Sequence, residues 1–151
     1  MKTSTVLLEF EEHQDLETYG SILCSLGYRI LMCSSADQAI QVLENEDVSF
    51  AIVSQGTHQF EGRRVLERSL QLRPSVPVLV IARVLDIHCY LDAMDLGAID
   101  YLERPAPEDM VWVLETQARR AQAVDSRGAN PVAQKPVPEA AGGNAQSKEG
   151  G

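Results

Sequence analysis

Residues 78–82, Val-Leu-Val-Ile-Ala, form an unbroken apolar run entered through Pro77. A short β-rich run with no polar alternation has both of its faces in apolar surroundings. Such strands belong inside a parallel sheet covered by helices on both sides. The rest of the chain agrees with that demand. A second run, residues 5–8, opens the chain, and residues 28–33, 50–53 and 99–102 supply three more. Helical stripes separate them over residues 13–26, 35–46, 62–72, 86–96 and 107 to about 120. The stops and starts are chemically marked. Gly27 and Gly97 end helices, Ser35 and Asp86 are N-caps, Pro74 follows a helix and Pro107 opens one. Five strands alternating with five helices predict right-handed crossovers and a three-layer α/β/α sandwich. Its parallel sheet is doubly wound in the order 2-1-3-4-5.

Composition changes at residue 121. From there to Gly151 the chain has no Phe, Tyr, Trp, Leu or Ile and is rich in Ala, Gly and Pro. This segment has too little apolar surface to offset the entropy of ordering, so residues 1–120 are read as the domain and 121–151 as a disordered tail. Its charges balance: Arg127, Lys135 and Lys148 against Asp125, Glu139 and Glu149. The net charge of −9 therefore belongs to the domain, and argues against a nucleic-acid surface, which needs a basic patch. Cys24, Cys33 and Cys89 have no CxxC spacing and sit in apolar periodic segments, which predicts core thiols rather than a metal or redox site. No run is long enough to span a bilayer, and the first apolar run is too short for a signal peptide, so a cytoplasmic protein is expected.

In a doubly wound sheet, ligands and reacting groups sit where the strand order reverses, at the carboxyl ends of strands one and three. Phe10, Glu11 and Glu12 follow strand one, and Ser54 ends strand three. Ala82 and Arg104 end strands four and five and line the same mouth. Ser54 with His58 lacks a nucleophile elbow and an orienting carboxylate, so a hydrolase is not indicated. No G-x-x-x-x-G-K loop is present for nucleotide binding. The acidic run at 11–15 would repel a flavin phosphate. No catalytic residue is assigned.

Residues 4–120 resemble the receiver domains of bacterial two-component response regulators. VLLEFEE falls where that family has a strand ending in an acidic pair, FAIVS where a strand ends in the phosphoacceptor aspartate, PVLVIA where a strand ends in a Thr or Ser switch, and LGAIDYLERP where the family has GADDYLxKP. The resemblance implies a phosphorylation pocket, and the departures from the family are concentrated in it. The acceptor position holds Ser54. The acidic positions hold Phe10 and Glu11, the switch hydroxyl position Ala82 and the lysine position Arg104. Tyr101 keeps the aromatic switch position.

In the family, Mg²⁺ bridges carboxylates and phosphate, and it needs hard oxygen ligands in near-octahedral order. Phe10 and Ser54 supply no anionic oxygen, so neither a metal nor another cofactor is expected. Arg104 is expected to pair with Glu11 or Glu12 or else to face solvent. The resemblance then implies a pseudo-receiver: a phosphorylation-independent interaction module in signal transduction. Its partner would be a signalling protein such as a histidine kinase or an effector, or a second copy meeting it across helix four, strand five and helix five. Trp112 is a candidate anchor on that face, and neither nucleic acid nor membrane is an expected partner. The alternative is a receiver still phosphorylated at a non-standard residue in a phosphorelay, with Glu61 or the Glu11–Glu12 pair as nearby carboxylates.

Overall fold

The computed structural model describes residues 4–127, with side chains described up to Arg120. Its elements are β1 (Thr5–Glu9), α1 (His13–Ser25), β2 (Arg29–Cys33), α2 (Ala36–Asn45), β3 (Phe50–Ser54), α3 (Arg63–Leu72), β4 (Val78–Ala82), α4 (Ile87–Leu96), β5 (Asp100–Glu103) and α5 (Pro107–Arg127). All four strand pairings are parallel and the order is β2-β1-β3-β4-β5, as the sequence predicts. Glu9 pairs in register with Val53, Ser54 with Ile81, and Ala82 with Glu103. The C-terminal ends of β1, β3, β4 and β5 thus finish at one edge.

The chain divides into two units, Met1–Leu114 and Glu115–Gly151. The first holds the whole sheet, and alternation along each strand splits its core in two. Leu7, Val53, Val80, Ala82 and Tyr101 face one side, packed with Leu43 of α2, Val65 and Leu66 of α3 and Cys89 of α4. Leu8, Phe10, Ile52 and Ile81 face the other, with Leu16 and Leu23 of α1 and Met110 and Leu114 of α5. In the second unit, the described residues continue helix α5 to Arg127, beyond the expected end near Arg120. Ala121, Gln122 and Ala123 are residues of high helix propensity. Residues 128–151 of the expected tail lie outside the described residues.

The caps behave as their chemistry requires. Ser35 Oγ accepts the Gln38 N–H at 3.1 Å, and Asp86 Oδ1 accepts the N–H groups of His88 and Cys89 at 2.9 and 3.1 Å. These amides hold the Asp86 carboxyl below the usual range, Cys89 foremost. Gly97 closes α4 at φ 118°, a left-handed value that suits glycine. Cys33 and Cys89 are buried as expected, but Cys24 is exposed, because α1 turns Leu16, Gly20 and Leu23 inward and leaves position 24 outside that stripe. Among the described residues, no helix is long and apolar enough to cross a membrane.

Candidate functional site

The sheet edge carries a cavity of about 180 Å³ lined by Phe10, Asp15, Tyr19, Ser54, Ile81, Ala82, Arg83 and Arg104. Four of the residues singled out from the sequence therefore meet: Phe10, Ser54, Ala82 and Arg104. Glu11 and Glu12 do not line it. Both are exposed in the turn before α1. The cavity's carboxylate comes from Asp15, in the first turn of α1.

Phe10 is buried, and its ring stacks on Tyr19 with centroids 5.4 Å apart. The Tyr19 hydroxyl donates to the Pro105 carbonyl at 3.0 Å, tying α1 to the loop after β5. An apolar ring and a neutral phenol thus form one wall of the pocket. Burial and the neighbouring Asp15 charge raise the Tyr19 pKa, which keeps the phenol protonated. Ser54 is held from two sides. Its N–H donates to Glu9 Oε1 at 3.3 Å, and its Oγ accepts the Gly56 N–H at 3.0 Å. Among the described residues no imidazole or other base bonds that hydroxyl, so none of them activates it as a nucleophile. Gly62 packs against the same corner, where the Ser54 carbonyl leaves no room for a Cβ.

The expected ion pair of Arg104 with Glu11 or Glu12 is not formed. Arg83 takes that role, its guanidinium 3.4 Å from Glu12 Oε2 in an exposed pair. Arg104 sits at φ 42°, in the left-handed region, and its Nε donates to the Arg83 carbonyl at 2.8 Å. Among the described residues Arg104 has no carboxylate partner.

Two buried polar residues escape a reading of the sequence. Glu9, the last residue of β1, is only 4% exposed. Burial pushes its pKa up to about 7, opposed by the Ser54 N–H and assisted by the Glu11 charge. Gln55, just past β3, is likewise buried. Its Nε2 donates to the Thr57 carbonyl, and its Oε1 accepts the hydroxyl of Tyr101. That hydroxyl also accepts the Asp86 N–H at 3.1 Å. Tyr101 is buried on the face it shares with Ala82, and Tyr90 packs edge-on against it at 5.5 Å. Trp112 on α5 is 64% exposed. Removing the phenol oxygen in Tyr101→Phe leaves the buried Gln55 oxygen unpaired. The expected loss is about 1–3 kcal/mol in urea denaturation.

The donor set does not fit a divalent cation of the kind the family binds. Phe10 offers no oxygen and Ser54 only a neutral hydroxyl already engaged. Among the described residues, no three His, Cys, Asp or Glu side chains gather as metal ligands. No residue of this chain is assigned as a metal ligand.

No protein-family model matches the chain. Its similarity to curated and solved proteins is consistent across the folded part. It is 27% identical over 121 residues to an NtrX-like protein of Rickettsia bellii, covering 78% of this chain and 25% of that one. It is 27% identical over 110 residues to the alginate biosynthesis transcriptional regulatory protein AlgB of Pseudomonas aeruginosa, covering 73% and 24%. A CheY-like response regulator receiver domain protein from Methanospirillum hungatei superposes with a TM-score of 0.74 at 20% identity, over 81% of this chain and 99% of that one. This is the receiver fold. The signal receiver domain of an HD domain-containing protein from Pseudomonas fluorescens gives the same TM-score at 22% identity, again over 81% and 99%. The receiver-type chain spans about a quarter of the length of the curated relatives it matches.

Proposed function

We propose that this chain is a degenerate response-regulator receiver domain acting in bacterial signal transduction as a phosphorylation-independent protein-interaction module. The observation that carries the reading is the composition of the sheet-edge cavity. Phe10, Ser54, Ala82 and Arg104 stand together at the positions where the resemblance requires an acid, an acceptor aspartate, a hydroxyl and a lysine. A neutral serine without a base is a poor phosphoryl acceptor, and Ala82 has no hydroxyl with which to reward an incoming phosphoryl group. Tyr101 is already packed inward on Gln55, which supports a domain whose signalling face is set without phosphorylation.

The face built on α4, β5 and the start of α5 is where a signalling partner, either a histidine kinase or an effector, would dock, or where a second copy would pair. Val84, Leu85, Ile87, Leu91 and Trp112 are large apolar residues left exposed near it. A cytoplasmic setting follows from that role.

The competing reading, phosphorylation at a non-standard residue, gains little from Glu61. Its exposed carboxylate is taken up by the Thr57 hydroxyl and N–H, which lower its pKa. Asp15, in the cavity, is the carboxylate on which that reading would turn.

Incubation with Mg²⁺ and acetyl phosphate, followed by intact-mass measurement, is expected to give no stable phosphoryl adduct. An adduct would favour the phosphorelay reading. Phe10→Asp combined with Ser54→Asp is expected to bring back measurable Mg²⁺ binding by titration calorimetry. A double variant as inert as the parent would count against the assignment of these two positions.

A further inference from the structure

Glu9 is an acid at a position where the sheet offers only apolar neighbours. It lies on β1, between β2 and β3, paired in register with Cys33 and Val53. The charged groups facing it are few. Cys33 on β2 is buried, its thiol pushed up to about 11 by burial and then by the Glu9 charge. Glu11, in the turn that follows, adds a second negative charge. From β3 it receives one backbone N–H, that of Ser54. Among the described residues no cation pairs with it. An ionised carboxylate in such a place has lost its water and gained a single hydrogen bond, so its neutral form is favoured.

The bond that Glu9 makes is the first link of a longer chain. Ser54 ends β3, and the next residue, Gln55, is held to β4 by its N–H on the Ile81 carbonyl at 2.8 Å. Gln55 Oε1 takes the Tyr101 hydroxyl. That hydroxyl in turn takes the Asp86 N–H, and Asp86 caps α4. A buried carboxyl on β1 is therefore connected, through backbone and side chains without a gap, to the aromatic ring and helix start of the proposed docking face.

We propose that the Glu9 carboxyl is a regulatory proton-binding site: with the proton on, the neutral group stays buried on the Ser54 N–H and Gln55 holds Tyr101 inward; with the proton lost, the cost of keeping a carboxylate out of water exceeds the gain from its stronger bond to that N–H, the group turns to solvent and the arrangement is released. The inference rests on the reading that no phosphoryl group drives this domain, and it supplies the input that reading lacks. A proton is a ligand like any other and shifts a conformational equilibrium by its preference for one state. Burial pushes the carboxyl up to about 7, which brings its proton equilibrium toward neutrality.

The test uses the full chain with ¹³C-labelled glutamate and tyrosine side chains, followed by NMR from pH 5.5 to 8.5 without phosphodonor. The expected result is a Glu9 carboxyl titrating near neutrality and a Tyr101 ring signal that moves with the same midpoint. In Glu9→Gln the Tyr101 signal should be flat across the range. In Gln55→Leu, Glu9 should still titrate while Tyr101 no longer follows. Three results would overturn the proposal: a Glu9 carboxyl that titrates at its ordinary value, a Tyr101 signal that stays fixed while Glu9 titrates, or a Tyr101 response that survives in Glu9→Gln. The wild-type spectra alone decide the first two, so a variant that fails to fold leaves the proposal exposed. A phosphoryl adduct in the mass experiment would defeat the functional reading and leave these titrations readable.

Discussion

Gly62→Ala is expected to lower the melting temperature by more than about 10 °C, equivalent to a loss of about 3 kcal/mol or more for a unit of this size. Gly62 has an ordinary helical φ of −69°, so backbone freedom is not the reason for glycine here. Space is the reason. A Cβ at this position would lie 1.9 Å from the Ser54 carbonyl oxygen and 3.0 Å from Val53 Cγ1. Neither neighbour is a flexible side-chain end that can swing aside. The Ser54 carbonyl belongs to β3, and the Gly62 N–H is itself bonded to the Gln55 carbonyl at 3.2 Å. To admit one methyl group, α3 must lift off the sheet or the Ser54–Gln55 corner must move. Thermal denaturation followed by far-UV circular dichroism measures the cost. A melting temperature within about 2 °C of the parent would mean that the corner yields easily, contrary to the close-packed contact described above.

Glu9→Gln is expected to stabilise the chain above neutrality and to flatten its stability between about pH 4.5 and pH 7. The folded-state pKa of Glu9 is raised from 4.5 to about 7. In that window the folded chain keeps the Glu9 proton and the unfolded chain has lost it. Stability from this group is therefore complete at the acid end, falls as pH rises through the window, and levels off above about 7. The full change amounts to about 3 kcal/mol. Glutamine presents the same oxygen to the Ser54 N–H and never ionises, so its stability should not follow this slope. Urea melts of both proteins at pH 5 and pH 8 suffice. Equal pH dependence in the two would show that Glu9 is not the group responsible.

The sheet order and the gathering of residues 10, 54, 82 and 104 were legible because both follow from apolar periodicity and strand ends, which are local in sequence. The partners of buried polar groups were not. Glu9 reads as the polar end of an apolar run, and nothing local distinguishes a carboxylate facing water from one enclosed by β2 and β3. Gln55 looks like an ordinary loop residue until β5 brings Tyr101 against it. The ion pair went to Arg83 rather than Arg104. Both arginines stand one residue beyond a strand, and the sheet order puts Arg83, after β4, one strand nearer to β1 and Glu12 than Arg104, after β5. Asp15 and Tyr19 belong to the cavity because α1 supplies part of its lining, a matter of helix placement that periodicity does not give.

The position of the indole has a practical consequence. Trp112 is the sole tryptophan of the chain, and most of its surface is already in water. Its emission should therefore sit near that of a solvated indole in the native protein and change little when the core melts, which makes it a blind gauge of unfolding. The same placement makes it a label-free sensor for anything that settles on that part of α5, since a covering surface would dry the ring and shift its light to the blue.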